Sequence, residues 1–408
     1  MSAHPAAAPP PAAVPPTVRG LALVSLFNDF ASEMVYPLLP ALVAGPLGGG
    51  AVALGALDGA ADLTSAVLKW VSGRLADRPG WRAPLILGGY ATAVLVRPLM
   101  AVAGAAWQVV GFRVIDRIGK GLRTPPRDAL IAEVADPAAR GRAFGFHRAA
   151  DHFGAVLGSL AAWWLLQTGA DVRRVIEWSV VPGVVAVGVL AVVLRKAGRR
   201  KGGTAGVGSG AGRPSVARSA VPAVPPSGRS ALWPPLLALA ALVLARVPEA
   251  LMLLRLQDLG VAVPLIPLVW AALHVVRSAG SYPGGRLTDR IGPRATVAMG
   301  GLLFAAVVAG LGARLTPAGA IAVFLAFGLV AGLTEAAERA MVARLAPTTR
   351  AGRGFGAYHA ITGFAALPAG LVFGEVYQRS GGPAAFLLSA AAMVLAVVGW
   401  AAVAPRGR

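Results

Sequence analysis

The sequence predicts an all-α membrane protein whose twelve transmembrane helices form two pseudo-symmetric six-helix bundles. Three observations carry this prediction. Of 408 residues, 56% are apolar and only 14% charged, where soluble domains hold about 45–50% and about 25%. From Val18 onward, apolar stretches near the ~20 residues needed to cross a bilayer follow one another, separated by short Gly, Pro and Arg punctuation. A ten-residue segment of the first half also recurs in the second. Disorder is excluded for most of the chain, because there is ample apolar surface to bury. Cysteine is absent, which excludes a disulfide framework and a thiolate metal site.

Residues 1–17 are rich in Pro and Ala and lack a basic segment followed by an apolar one. They read as a disordered tail rather than a signal peptide. The N-terminal bundle, 18–195, contains spans at 18–43, 51–72, 84–103, 106–134, 143–167 and 174–195. The C-terminal bundle, 232–404, contains spans at 232–257, 262–283, 295–313, 318–345, 354–377 and 384–404. Residues 196–231 between them are Gly, Ser, Pro and basic residues without one acid. Such a composition cannot bury a core and reads as a flexible cytoplasmic linker. Residues 405–408 form a short cytoplasmic tail.

The net charge of +20 would suggest nucleic acid in a soluble protein. Placed against the spans, it reads differently. With the N-terminus inside, cytoplasmic segments hold 21 Lys and Arg residues; outside loops hold four, Arg173, Arg174, Arg314 and Arg379. This asymmetry predicts a multi-pass protein of a bacterial-type inner membrane with both termini cytoplasmic. The charge is therefore a topology signal that also suits anionic lipid heads, and no nucleic-acid partner is expected. A monomer is the expected state.

Gly73-Arg-Leu-Ala-Asp-Arg-Pro-Gly-Trp-Arg82 and Gly285-Arg-Leu-Thr-Asp-Arg-Ile-Gly-Pro-Arg294 share seven of ten residues at an offset of 212. Each follows the second span of its half. Gly141-Arg-Ala-Phe-Gly145 and Gly352-Arg-Gly-Phe-Gly356 recur at an offset of 211. Two similar offsets far apart in the chain indicate duplication, the pattern of a carrier that rocks two bundles about a midplane site.

These residues resemble the major facilitator superfamily, whose loop after the second span reads G-x-L-x-D-R-x-G-R-[RK]. Trp81 and Pro293 replace the first basic residue of the closing pair. Arg113 with Gly119 and Gly121 is similar to the family's fourth-span pattern. Gly154-x-x-x-Gly158 is similar to the start of the antiporter motif, which then continues differently here with Ser159, Ala161 and Ala162. NDFASEMVYPLLP and RVIDRIGKGLRTPPRDALIAE resemble a bacterial efflux-type subgroup. The resemblance implies a small-molecule substrate, no cofactor, and a conformational switch in the repeated loops: Gly73, Asp77, Arg78, Gly80 and Arg82, then Gly285, Asp289, Arg290, Gly292 and Arg294. It also implies that Asp77 sits near the start of the eleventh span around Gly354.

Charged residues inside spans are costly, so each is a functional candidate. The first span carries Asn28, Asp29 and Glu33, with the two acids one helical turn apart. Such an acid either pairs with a neighbouring Arg or takes up a transported proton, because an unpaired carboxylate there costs less as the neutral acid. Asp58 and Asp62 repeat the spacing; Asp62 is the deeper, whereas Asp58 lies nearer the outer end and is expected to be hydrated. The fourth span carries Arg113, Asp116, Arg117, Lys120, Arg123, Arg127 and Asp128. Asp116 has Arg113 and Lys120 within helical reach, and one acid cannot neutralise three bases, so further acids must come from elsewhere. Pro125-Pro126 should bend this span. The fifth span holds His147, Arg148, Asp151 and His152, whose spacing does not suit a metal. Proton-coupling candidates are therefore Asp29, Glu33, Asp62 and Asp151.

The second half offers Arg246 with Glu249, His274, Arg277, Glu335, Glu338 with Arg339, Tyr358 and His359. Arg246–Glu249 and Glu335–Arg339 have the spacing of local ion pairs. Candidates to line a substrate cavity are Asn28, Arg113, Asp116, Arg117, Arg148, Arg246, Glu249, His274 and Tyr358. No nucleophile elbow, zinc-protease motif or P-loop is present, so the chain reads as no enzyme and an ion gradient must supply the energy. The reading is a secondary active transporter with protons as coupling ion, working as an efflux antiporter. Proton-symport import by the same fold is the nearest rival. A non-transporting membrane receptor or an intramembrane enzyme is a more distant one.

Overall fold

Proline and glycine divide a nearly continuous helical chain into its rods. A computed structural model describes residues 14–76, 78, 80–135, 140–204, 233–345 and 351–404. Asp77, most of the predicted linker and the C-terminal tail lie outside the described residues, as do the side chains of Asp289, Arg339 and Gly354. Among the described residues every regular element is helical.

In the first half, α1 (Pro16–Val35) passes through a 3₁₀ turn into α2 (Leu39–Ala44), followed by α3 (Gly50–Ala76) and α4 (Arg82–Val96). Then come α5 (Ala106–Val134), α6 (Arg140–Gln167), α7 (Val172–Trp178) and α8 (Val180–Thr204). The second half contains α9 (Trp233–Leu244), α10 (Glu249–Asp258), α11 (Ile266–Ile291), α12 (Pro293–Gly312), α13 (Pro317–Leu345) and α14 (Ala351–Val403). Gly381 bends α14 into two arms with φ 82° and ψ 166°. With α1–α2, α7–α8 and α9–α10 each taken as one broken rod and the two arms of α14 counted separately, the described helices make twelve rods. Eight helical stretches are long and apolar enough to cross a membrane. Residues 16–44, α5 and α6 fall outside that set, and they carry many of the chain's buried charges.

At Pro125-Pro126, where a bend is expected, α5 runs through both prolines as one uninterrupted helix. Proline removes a donor and so frees the carbonyl of Gly121. The Ser72 hydroxyl of α3 donates to that carbonyl at 2.7 Å and so satisfies one acceptor that the prolines release. The breaks fall instead beside Pro37 and Pro248.

Within the first half, α1 packs on α6 and α8, while α5 packs on α3 and α4. Within the second, α13 packs on α11 and α12, and α14 on α9 and α12. The two halves meet along α3–α14 and α6–α11. A backbone signature marks the duplication. Every described residue with positive φ is a glycine, and six of the seven form pairs 212 apart: Gly48 with Gly260, Gly80 with Gly292, and Gly169 with Gly381. Both halves therefore turn corners at equivalent positions, in a conformation that side chains resist.

Burial is less symmetric. The first half encloses Arg97, Arg113, Asp116 and Arg123, whereas of the five largest enclosed aromatics four, Trp400, Phe304, Phe324 and Phe386, belong to the second and one, Tyr90, to the first. Leu95, Leu237, Leu395 and Val398 point outward from the bundle, as suits a hydrocarbon surround.

Candidate functional site

A cavity of about 530 Å³ lies between the halves, within the ~300–1,000 Å³ of small-molecule sites. The first half supplies Glu33 and Tyr36, with walls from α3 and α5; the second supplies walls from α9 through α14. Of the residues singled out from sequence, Glu33, Asp62, Arg113, Arg117, Arg246, Glu249, His274 and Tyr358 line it. Asn28, Asp29, Asp116, Arg148 and Asp151 stand outside the lining.

Behind the first-half wall is a buried charge centre. Arg97 Nε donates to Asp116 Oδ1 at 2.9 Å, and its other nitrogens donate to the Asn28 carbonyl at 3.0 Å and the Asn28 side chain at 3.2 Å. Arg113 and Arg117 approach the same carboxylate at 3.6 and 3.8 Å. Asn28 Nδ2 in turn donates to Asp29 at 2.9 Å. Arg97 is the member that sequence reasoning missed. Its partners are 19 and 69 residues away, beyond any helical spacing rule. A lone charge inside an apolar run was its one signal. Lys120, expected within reach of Asp116, makes no ion pair with it among the described residues.

Two acids of the first half reach into the second. Glu33 accepts a bond from Trp270 Nε1 at 2.8 Å and lies 3.8 Å from His274 Nε2. Asp58 accepts from the Tyr36 hydroxyl and from the Ala250 backbone amide, each at 2.9 Å. Expected to be simply hydrated, Asp58 is held instead because α10 begins at Glu249 and presents a free amide to it.

The Arg246–Glu249 pair expected in the second half is replaced, and the expected Glu335–Arg339 pair rests on a side chain outside the described residues. Arg246 binds Glu338 at 2.9 Å, and Glu249 binds Arg277 at 2.7 Å. Pro248 ends the helix between Arg246 and Glu249, which removes the turn that would align them. The Tyr358 hydroxyl also donates to Glu338, at 2.6 Å. Glu335 lies 3.6 Å from Arg148 of the first half. His147 and Asp151 meet at 3.5 Å within α6. Among the described residues, no group of three or more His, Asp or Glu is placed to hold a metal ion.

In the repeated loops, Gly80 and Gly292 have φ 82° and 84°. Arg82 pairs with Glu133, and Arg294 donates to the Ala401 carbonyl. Gly73 and Gly285 lie at the ends of α3 and α11, with Arg78 and Arg290 exposed beside them. At the opposite end the halves are in backbone contact. A Cβ on Gly55 would stand 1.9 Å from the Gly370 carbonyl oxygen, and one on Gly374 would stand 2.7 Å from that of Ala51. Gln378 accepts from the Val52 amide at 3.2 Å. The cavity is closed on this side.

Two six-helix halves around a shared polar cavity, with no catalytic constellation among the described residues, define a membrane carrier. The profile of the Major Facilitator Superfamily matches residues 21–247 and 228–408. The chain belongs to this superfamily and is a secondary transporter rather than an enzyme. It is similar to an uncharacterized MFS-type transporter of Methanocaldococcus jannaschii, 26% identical over 88% of each chain. It is 35% identical to the multidrug resistance protein MdtH of Cronobacter sakazakii, over 33% of each chain. A bacterial homologue of the human lysosomal transporter Spinster, solved inward-facing and unoccupied, shares its fold with a TM-score of 0.65 and 16% identity over 95% of each chain.

Proposed function

We propose that this transporter exports a small molecule by proton-coupled antiport, with both termini and the repeated loops on the cytoplasmic side of an inner membrane. The observation that carries the reading is the placement of acids. Among the described residues Asp62 lines the cavity without an ion pair within 4 Å, and Glu33 lines it while bonded to Trp270 across the halves. Protonating Glu33 weakens its attraction to His274 and releases one tie between the halves. Deprotonation restores it, so proton movement is linked to alternating access. The multidrug name of the MdtH relative supports export, and the 21-to-4 distribution of Lys and Arg supports the orientation. Asp77 is proposed to stabilise one state of the cycle at a helix N-terminus, as the family resemblance implies.

A growth-inhibition screen of a deletion strain identifies a substrate, which is then followed in proteoliposomes under an imposed pH gradient. Glu33→Gln or Asp62→Asn should abolish gradient-driven accumulation while sparing substrate exchange. If both variants keep full pH-driven flux, these acids are not the coupling groups. Flux that follows the proton gradient inward establishes symport import instead.

A further inference from the structure

We infer that the cavity takes an organic anion with an aromatic or apolar body, a conclusion that rests on the transporter reading and names its cargo class. Arg113, Arg117 and Lys120 lie at i, i+4 and i+7 on α5, and all three line the cavity. That spacing puts them on one helix face. Their shared acid, Asp116, bonds Arg97 through Oδ1 at 2.9 Å, while its Oδ2 lies 3.6 and 3.8 Å from Arg113 and Arg117 and makes no hydrogen bond. Charge-assisted bonds run at about 2.7–2.9 Å, so neither guanidinium is satisfied by Asp116. Arg113 is 5% exposed and its buried Nε has no acceptor. Lys120 makes no ion pair within 4 Å among the described residues.

The lining carries acids as well as bases, but most of its acids are held by other donors. Glu33 is bonded to Trp270, and Asp58 to Tyr36 and the Ala250 amide. Of the first-half acids in the lining, Asp62 alone makes no hydrogen bond or ion pair among the described residues, and it shares that wall with Lys69, Arg113, Arg117 and Lys120. On the second-half wall, Arg246 and Arg277 are neutralised by Glu338 and Glu249. What that wall adds is aromatic surface, with Trp270 and Phe327 beneath the Arg277 guanidinium at 5.5 and 5.1 Å. Guanidinium groups held short of ideal distance from a buried acid gain from an anion that enters the cavity and completes their hydrogen bonds. Guanidinium forks match planar carboxylate, and also phosphate or sulfonate oxygens. An anionic head on α5 and an apolar body on α11 and α13 follow from this arrangement.

The experiment uses the full chain in lipid nanodiscs and three labelled probes with one ring system: 1-naphthylacetate, 1-naphthylmethanol and 1-naphthylmethylammonium. Naphthylacetate should bind at least about tenfold more tightly than the other two. Arg117→Gln and Lys120→Gln should each weaken it about three- to tenfold, whereas Lys120→Arg should retain it. Thermal melting of each variant confirms that it is folded. Equal or tighter binding of the ammonium or the alcohol, no measurable naphthylacetate binding, or unchanged affinity in both folded Gln variants overturns the assignment. Because binding is read without flux, failure here is distinct from failure of the transport reading, which pH-driven accumulation tests separately.

Discussion

Asp116 shows how one buried residue is defined by partners that its own helix does not supply. It is fully enclosed and bonded to Arg97, with Arg113 and Arg117 close by. Removing one partner from a buried ion cluster leaves uncompensated charge, which costs about 3–5 kcal/mol. Asp116→Asn should therefore lower the melting temperature and the folded yield in detergent, and Arg97→Gln should do so by a comparable amount. A variant that melts with the native protein would show the cluster to be dispensable for stability. The excess of Arg on α5 was legible from counting alone. The identity of the partner was not, because Arg97 reaches Asp116 from the end of another helix. Glu249 gives the same lesson, since Pro248 breaks the turn that its spacing with Arg246 assumed.

Among the elements, the contact of α1 with α6 decides where the first-span acids stand. A Cβ on Gly154 would lie 2.2 Å from the Leu26 carbonyl oxygen, and one on Gly158 would lie 2.2 Å from that of Phe30. These two glycines therefore let α6 lie directly against the backbone that carries Asn28, Asp29 and Glu33. Gly158→Val should force the helices apart at about 1–3 kcal/mol. The checks are a lower melting temperature and, at temperatures where the variant remains folded, weaker substrate binding than the native protein. Unaltered melting would mean that α6 has room to shift. The Gly-x-x-x-Gly spacing was visible in the sequence as the start of an antiporter-like motif, and such spacing lets helix backbones approach closely. Which helix it would meet was not. At Pro125-Pro126 a local signal for interruption is met by a partner from another helix, the Ser72 hydroxyl, which takes one freed carbonyl while α5 continues.

For the whole molecule, the closed end is a seam of glycines between α3 and α14. Gly370→Val places a branched side chain against the Gly55 carbonyl, where even a Cβ would lie at 2.1 Å. The seam should open and shift the carrier toward the state in which this end is accessible. Because the chain has no cysteine, spin labels at Val102→Cys and Arg379→Cys read the separation of the halves without background. The long-distance population should rise several-fold in the Gly370→Val background, since a penalty of even ~1 kcal/mol moves a poised equilibrium that far. An identical distance distribution would show that the seam does not hold the halves together. By itself, the sequence determined the number and order of the spans, the duplication and the presence of charges inside the bilayer. Those depend on local apolarity and on repeats that survive in short motifs. Tertiary structure alone decided that Glu33 meets Trp270, that Arg246 meets Glu338, and that Lys120 is left facing a cavity. Ionic pairing between helices depends on their relative rotation and depth, and these are set by packing across dozens of residues rather than by neighbours along the chain.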